Sequence, residues 1–268
     1  MTSAPRVPSL CVDTHAHLHP EFDLDRALDQ AAFHARRAAR DDCTVRPDGA
    51  VLCLADPESG RRFSSLRRRG QQTLHIWELH PTQERESVLA RRPDAATVAL
   101  IAGQQIQTCQ GIEVLGIGTV SDVPSGLPVK ETADLVREAG AIVVLPWGFG
   151  KWLLRRKRIV EGLLESPWHR KLQLADSGAR PSGTPEPALF QRAKAAGIPV
   201  LAGSDPYPLS GHERRVGQYG VLVPDFPLDE RPAQRLRHHL SKRDQLRFFG
   251  QRDSLWSALL GQIRLGLR

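Results

Sequence analysis

Two histidines separated by a single residue, His15 and His17, stand near the start of the chain in the sequence Val-Asp-Thr-His-Ala-His. They end an apolar run that predicts a β-strand, and alternate residues of a strand point to the same face. The two imidazoles, with Asp13 behind them on the same side, would therefore project together. Neutral imidazoles are common ligands of divalent metals. The spacing predicts a metal or active site; the alternative is a pair of histidines that only form hydrogen bonds at a strand end.

Polar residues also follow several later apolar runs. Asp56 follows the run at 51–55, Asp176 follows 172–175 and Asp205 follows 200–204. In an α/β barrel the C-terminal ends of the strands gather at one face, where chemistry is usually located. Repeated carboxylates and imidazoles at strand ends therefore predict one shared functional face.

The elements that must position these residues can be predicted from hydrophobic patterning. Apolar, β-branched runs alternate with amphipathic segments, which favours parallel strands joined by helices. The predicted strands are residues 9–14, 50–55, 73–79, 97–102, 112–118, 141–145, 172–175 and 198–202. The predicted helices are residues 24–40, 61–69, 130–139, 152–164 and 187–196, with two more at 229–239 and 253–265. We expect one α/β domain over residues 1–268, a distorted (β/α)7–8 TIM-like barrel closed by C-terminal helices at about 229–265.

Composition places the chain among globular proteins, with 40% hydrophobic and 25% charged residues. No apolar run approaches the roughly 20 residues needed to span a bilayer, and the first residues lack the pattern of a secretion signal. The four cysteines form no CxxC motif. We therefore expect a cytoplasmic protein with no membrane partner, in which Cys11, Cys53 and Cys109 are buried free thiols.

The formal net charge is +7, carried mostly by clustered arginines. Such clusters are either solvated helix faces or a source of attraction for phosphate-bearing partners. Aromatic residues make up only 6% of the chain and do not alternate with the basic residues. This disfavours nucleic-acid binding by base stacking and favours an anionic small molecule as substrate.

The order of these motifs resembles the PHP (polymerase and histidinol phosphatase) family of metal-dependent phosphoesterases over roughly residues 10–220. That family opens with a strand ending in His-x-His, as at His15 and His17. Its second strand typically ends in Asp-His; the segment VLCLADPESG keeps Asp56 and has Pro57 in place of the histidine. General amidohydrolases and TatD-like hydrolases open similarly but add histidines on the middle strands, which this chain does not show.

The resemblance continues in three later segments. Residues 100–118, LIAGQQIQTCQGIEVLGIG, look like the family's Gly-x-Glu-Ile-x-Thr-x-x-Gly segment and the strand after it. Gln105 stands where the family has a bridging glutamate, and Glu113 stands about where a histidine often precedes the strand. The segment AIVVLPW matches a strand that usually ends in His-Pro, without the histidine. LAGSDPY is similar to the closing Ser-Asp-x-His, with Asp205 kept and Tyr207 in place of the histidine.

The resemblance implies a divalent metal, Zn, Mn or Fe, held by His15, His17, Asp205 and Asp56. A neutral Gln105 cannot offset the charge of two bridged cations, so a single metal is expected. His15, His17 and Asp205 would then be the catalytic residues of a hydrolase, with Asp205 also accepting a proton. We expect a phosphoesterase acting on an anionic small molecule. The alternative is a catalytically degenerate PHP-like barrel that binds a ligand or a protein partner.

Two of the predicted substrate contacts lie in separate loops. Lys151 belongs to the glycine-rich segment LPWGFGKW, where backbone N–H groups and an ammonium could receive an anion at a helix N-terminus. A tight turn packed by aromatic residues explains that segment equally well. Arg180 follows the strand that ends at Asp176 and could pair with a phosphate or carboxylate. A structural ion pair with a neighbouring acid is equally plausible for Arg180.

Arg215 and Gln105 complete the predicted substrate contacts. Arg215 lies in the sequence GHERRVGQYG just beyond Asp205, near the presumed mouth of the barrel. In the same segment His212 is interpreted as a surface-loop residue, and the alternative is that it contacts the metal or the substrate. His80 also follows an apolar run, where it is either a further ligand or a histidine that is only hydrogen-bonded.

Overall fold

Fourteen strands in two sheets, together with seven α-helices, make up the part of the chain that the computed structural model describes, residues 8–57, 62–68, 72–148, 152 and 154–266. The strands are β1 Ser9–Ala16, β2 Val45–Leu54, β3 Asp56–Pro57, β4 Gln72–Thr73, β5 Glu78–Pro81, β6 Ser87–Arg91, β7 Thr97–Ile101, β8 Gly103–Gln107, β9 Glu113–Ile117, β10 Ile142–Pro146, β11 Gln173–Ser177, β12 Val200–Gly203, β13 Tyr219–Pro224 and β14 Arg247–Gly250. The helices are α1 Leu24–Asp41, α2 Arg62–Arg68, α3 Val129–Glu138, α4 Leu154–Glu165, α5 Ala188–Ala195, α6 Pro232–Ser241 and α7 Leu255–Gly266.

The strand order separates the two sheets. One sheet has eight strands in the order β14-β13-β1-β2-β7-β6-β5-β4, and the other has six in the order β12-β11-β10-β9-β8-β3. The strands β1, β2 and β7 are mutually parallel, as are β10, β11 and β12. Between and beside these groups, β6, β9 and β13 run antiparallel to their neighbours.

Within the described residues the closed TIM-like barrel expected from the sequence is not found, because the hydrogen-bonded strands form two sheets that do not close. The mixed strand directions have a simple cause. A parallel pair needs a long crossover connection, whereas an antiparallel pair needs only a turn. The β6–β7 connection is such a turn, with the Arg92 N–H donating to the Ala96 carbonyl and Ala95 at φ 69°. Residues 108–112 similarly connect the antiparallel strands β8 and β9.

Three apolar layers hold the two sheets together. The helices α1 and α2 pack on one face of the eight-stranded sheet. The opposite face meets the six-stranded sheet in a central core that also includes α6. The helices α3, α4 and α5 cover the remaining face of the six-stranded sheet. Strand β1 shows the alternation directly, since Leu10 and Val12 point to the central core while Cys11 points to the α1 layer.

The predicted helices all lie close to observed ones, and most predicted strands overlap observed strands. The strands β3, β6, β8, β13 and β14 were not predicted, and the segment expected as one strand over 73–79 is divided between β4 and β5. Each missed strand is six residues or shorter. Strands this short give too few alternations to be separated from loops by periodicity.

Two expectations based on composition can be compared with the structure. Cys11 and Cys53 are buried free thiols as expected, but Cys109 is exposed, so its predicted burial is wrong. Cys109 lies in the turn after β8 rather than within a strand, which explains its exposure. Among the helices that the structure describes, none combines the length and apolar character required to cross a bilayer.

Candidate metal centre

Three side chains from distant parts of the chain converge at one point. His15 lies in β1, His17 follows it, and Asp205 follows β12. One ligand atom from each of these residues lies within 4.8 Å of the other two. The Nε2 atoms of His15 and His17 are 3.1 Å apart, and each lies 3.6 Å from Oδ1 of Asp205. Gln105 in β8 adds a fourth donor, with its Oε1 at 3.0 Å from His15 Nε2.

These separations fit a shared cation. Donor atoms bound to one metal at about 2.0–2.2 Å lie roughly 3–3.5 Å from each other in tetrahedral or octahedral geometry. The nitrogen Nε2 of His15 also has three close neighbours, in His17, Gln105 and Asp205. A single imidazole proton can serve only one of them. A divalent cation would satisfy all four donors at once, so the residues present fit a metal.

The strand end that carries the histidines is fixed by a buried carboxylate. Asp13 Oδ1 accepts the N–H groups of His15 at 3.1 Å and Ser204 at 2.9 Å. Its Oδ2 accepts the Gly217 N–H at 3.0 Å and the Ser204 hydroxyl. Burial raises the pKa of Asp13 to about 6, although these hydrogen bonds act in the opposite direction. Asp13 therefore fixes the backbone that carries the ligands and is not itself a ligand.

The two sheets meet closely beside His15. The Asp205 N–H donates to the His15 carbonyl at 2.8 Å, and the Thr14 hydroxyl donates to the Ala202 carbonyl at 2.9 Å. A Cβ at Gly203 would overlap the backbone nitrogen and Cβ of His15, so only glycine permits this approach. Asp205 itself has φ 47°, a left-handed conformation that is uncommon outside glycine and is frequent at functional sites.

Exposure increases across the cluster from His15 to Asp205. The side chain of His15 is 2% exposed, that of His17 11% and that of Asp205 21%. Burial lowers the pKa of His15 and so favours its neutral form, which is the form that binds metals. The site is thus closed on the His15 side and open to solvent on the Asp205 side.

Asp56, a predicted ligand, is not brought into this group. It starts β3 and its Oδ2 accepts the N–H of Phe63, in the first turn of α2, at 2.8 Å. Burial raises the pKa of Asp56 to about 6. Its position in sequence after an apolar strand matched the ligand pattern, but a carboxylate in that position can equally cap the following helix. The geometry favours this capping role.

The raised pKa of Asp56 gives a pH-dependent prediction for the metal-free protein. Between pH 4 and 6 the folded state holds a proton that the unfolded state, with a pKa near 4, has released. The free energy of unfolding therefore falls as pH rises through this window, by at most about 3 kcal/mol from this group. Asp56→Asn removes that contribution. The free energy of unfolding of the wild type minus that of the variant, measured by urea unfolding, should therefore decline from pH 4 to 6.

The same comparison decides whether Asp56 binds the metal. A ligating carboxylate is ionised, so saturating metal would abolish the difference in pH dependence between wild type and Asp56→Asn. We expect the difference to persist at saturating metal. Its disappearance would return Asp56 to the ligand set.

Arg180 forms the structural ion pair that was the alternative to substrate binding. Its Nε and Nη2 donate to the two carboxylate oxygens of Asp176 at 2.7 and 2.6 Å. Its Nη1 contacts the carbonyls of Thr184 and Pro185 at 3.2 and 3.3 Å. The Tyr219 hydroxyl also donates to Asp176 at 3.0 Å. With its side chain 7% exposed and its three nitrogens engaged, Arg180 does not face the site as a substrate contact.

Arg215 is near the predicted mouth but also pairs with an acid. Its Nη1 donates to Asp253 at 2.6 Å and its Nη2 donates to Ser257 at 2.5 Å, which ties it to the start of α7. His212 is 8% exposed rather than a surface residue, and its ring stacks on Tyr207 with centroids 5.7 Å apart. The interpretation of His212 as an exposed loop residue is therefore wrong. Neither His212 nor Arg215 belongs to the ligand group.

The remaining predicted residues are more distant or fall outside the description. His80 lies in β5, four places from β1 in the sheet order, and its Nε2 is 3.5 Å from Glu78. Lys151 and Gly150 are not among the residues that the structure describes. Glu113 pairs with Gln107 across β8 and β9, so it shares the sheet face of Gln105, two residues along. Burial has the largest effect on the pKa of His15 and lowers it. The charge of Glu113 acts in the opposite direction, and its effect is smaller than those of Asp205, His17 and Gln105.

Sequence reasoning missed the residues that support the ligands. Ser204, Ser177 and Gly203 act through contacts between chain segments far apart in sequence. Gly203 and Ser204 lie directly before Asp205, and Ser204 is the serine of the segment that is similar to Ser-Asp-x-His, but the sequence assigned neither residue a role. Ser177 follows Asp176 and gave no signal of its own.

Comparisons with known proteins support the fold. No protein-family model matches the chain, and no curated protein is significantly similar to it in sequence. Among solved structures, PsfC from Pseudomonas syringae has a TM-score of 0.55 and 16% identity, over 97% of this chain and 100% of that chain. A two-domain protein from Bacteroides vulgatus, containing a predicted PHP-like metal-dependent phosphoesterase, has a TM-score of 0.51 and 12% identity, over 93% and 68% of the two chains.

A third similar structure is the lesion-specific endonuclease PfuEndoQ from Pyrococcus furiosus. It has a TM-score of 0.51 and 12% identity, and the match covers 89% of this chain and 57% of that one. Identities this low show the fold alone. The chain shares a mixed α/β fold with these three structures, and its His15, His17 and Asp205 side chains form a candidate metal site within it.

Proposed function

We propose that this protein is a hydrolase that uses a single divalent metal and acts on a phosphoester of an anionic small molecule. The metal is held by His15, His17 and Asp205, with the Gln105 oxygen as a neutral fourth donor. The observation that carries the proposal is the convergence of these four donor atoms. Those of His17, Gln105 and Asp205 each lie 3.0–3.6 Å from His15 Nε2. The fold likeness to a predicted PHP-like phosphoesterase supports the reaction class.

The composition of the ligand set supports one metal and an anionic substrate. Two neutral imidazoles and one carboxylate contribute a single negative charge, so a divalent cation leaves the ligand set net positive. Gln105 adds an oxygen without charge, which makes it a poor bridge between two cations. A bound divalent metal lowers the pKa of a coordinated water and polarises a phosphoryl oxygen. Asp205 is more exposed than either histidine, and in this proposal it also accepts a proton at the open side of the site.

Hydrolysis can be tested on metal-free protein reloaded separately with Zn²⁺, Mn²⁺ or Fe²⁺. The readout is release of phosphate from small phosphomonoesters and of nitrophenol from p-nitrophenyl phosphate. The proposal requires turnover that depends on the metal and is lost in Asp205→Asn. Metal binding with no turnover on any of these esters would favour the degenerate, ligand- or protein-binding barrel. No binding of metal would remove the basis of both the site and the reaction.

Gln105 offers a test of the charge argument. Gln105→Glu adds a carboxylate at the position next to His15, so we expect metal affinity to rise on the order of tenfold. Gln107→Glu is a matched control, because it adds the same charge on the same strand face, two residues away. We expect Gln107→Glu to change affinity by less than threefold. Equal effects of the two variants, measured by competition with a chelating dye, would mean that Gln105 is not a donor.

A further inference from the structure

We infer that Ser177 is a positioning residue, which orients the Asp205 carboxylate toward the metal. The inference rests on the proposed metal site and assigns a role to a side chain that neither the sequence motifs nor the fold likeness indicates. Ser177 ends β11 and is 1% exposed. It lies on the six-stranded sheet, whereas the two histidines come from the eight-stranded sheet.

The hydroxyl of Ser177 has both of its hydrogen-bonding roles fixed. Its Oγ accepts the Ala179 N–H at 3.1 Å. The same Oγ donates its only proton to Oδ2 of Asp205 at 2.8 Å. Because the backbone N–H of Ala179 can only donate, the hydroxyl proton is directed to Asp205 rather than to the turn.

The two carboxylate oxygens of Asp205 therefore have different neighbours. Oδ2 accepts the hydrogen bond from Ser177, and Oδ1 faces the two histidines, 3.6 Å from each Nε2. The backbone of Asp205 is held separately by the His15 carbonyl. Removing the serine hydroxyl deletes the hydrogen bond to Oδ2 and leaves the backbone contact in place, so the carboxylate loses part of what orients Oδ1 toward the histidines.

Ser177 is itself supported by a rigid strand end. Its N–H donates to Asp176 Oδ1 at 3.0 Å, and Asp176 is held by the buried guanidinium of Arg180 and by Tyr219. The Gly178 N–H, the next along the chain, donates to the Gly203 carbonyl at 2.7 Å. The serine hydroxyl is therefore held at a fixed distance from Asp205 by contacts that do not involve the metal.

Hydrogen bonds to ligating carboxylates typically contribute 10–100-fold to metal affinity. We therefore expect Ser177→Ala to weaken Zn²⁺ binding 10–100-fold, measured by competition with a chelating dye. Ser177→Thr keeps the hydroxyl and should bind within threefold of wild type. Thr108→Val is the matched control: it removes a buried hydroxyl in the turn after β8, which donates to the Ile112 carbonyl at 2.7 Å rather than to a ligand. It should also bind within threefold of wild type.

Two further readouts separate positioning from general destabilisation. The visible absorption of the Co²⁺-loaded protein should change in Ser177→Ala and be restored in Ser177→Thr, because it reports the ligand geometry directly. The free energies of unfolding of the metal-free variants should not follow the same order as their Zn²⁺ affinities. If Ser177→Ala does not fold, Ser177→Cys, of similar volume and with a weaker donor, takes its place and should lose about tenfold in affinity.

The outcomes are distinct. Wild-type affinity in Ser177→Ala, or an equal loss in Thr108→Val, overturns the role of Ser177 while leaving the metal site intact. Failure of the wild-type protein to bind Zn²⁺ or Co²⁺ overturns the proposed function, and the role of Ser177 with it.

Discussion

His15→Ala is expected to weaken metal binding by on the order of 10²–10⁴-fold and to leave the purified protein without stoichiometric metal. Its Nε2 is the central donor of the site, in contact with His17 and Gln105 and close to Asp205. Structural zinc sites in zinc-finger peptides have apparent binding free energies of about 10–16 kcal/mol, which sets the scale for a site with fewer ligands. Loss of one of three charged or imidazole ligands removes a substantial share of that energy, and each 1.4 kcal/mol is about tenfold in affinity.

His19→Ala is the matched control for this prediction. His19 is the next histidine in the series, and its ring stacks on that of His17 with centroids 5.0 Å apart. Its Nε2, however, contacts the Pro206 carbonyl at 2.9 Å. We expect His19→Ala to retain metal to within tenfold. Metal content measured by elemental analysis that falls equally in both variants would show that the histidine cluster, rather than His15 as a ligand, is what matters.

The second large effect is on stability. Arg180→Ala should lower the free energy of unfolding by about 3–5 kcal/mol, because it leaves the Asp176 carboxylate buried without its partner. The side chain of Asp176 is 1% exposed and that of Arg180 is 7% exposed. Arg192→Ala breaks an exposed arginine pair with Glu161 and serves as the control, with an expected loss below about 1 kcal/mol.

Urea unfolding of the two variants distinguishes the two interpretations of Arg180. If Arg180→Ala keeps wild-type stability but raises the KM for a phosphoester substrate, the arginine is a substrate contact, as the strand-end pattern first indicated. The bidentate pair with Asp176 predicts the opposite result, a large loss of stability.

Local pattern was sufficient for the parts of the site that lie on one strand. The alternation of His15 and His17 along β1 could be read directly, because a strand of known face fixes where both side chains point. Asp205 was found because it follows an apolar strand. Its left-handed backbone and its contact with the His15 carbonyl could not be foreseen, since both depend on how β12 lies against β1.

Residues with two chemically equal roles were the ones that sequence could not resolve. A carboxylate after a strand, such as Asp56, can bind a metal or cap the next helix. An arginine such as Arg180 can bind a phosphate or a buried acid. Which role applies depends on the neighbouring chain, and that neighbour comes from tertiary structure. The open, mixed sheets could not be predicted for a related reason, because the short strands β6 and β13 carry no distinct periodic signal.

The most direct test of the central claim is anomalous diffraction from crystals of the zinc-loaded protein, recorded above and below the zinc absorption edge. We predict one edge-dependent peak at about 2.0–2.2 Å from His15 Nε2, His17 Nε2 and Asp205 Oδ1. A peak elsewhere, or no peak at this position at saturating zinc, would contradict the assignment of these three residues as a metal centre.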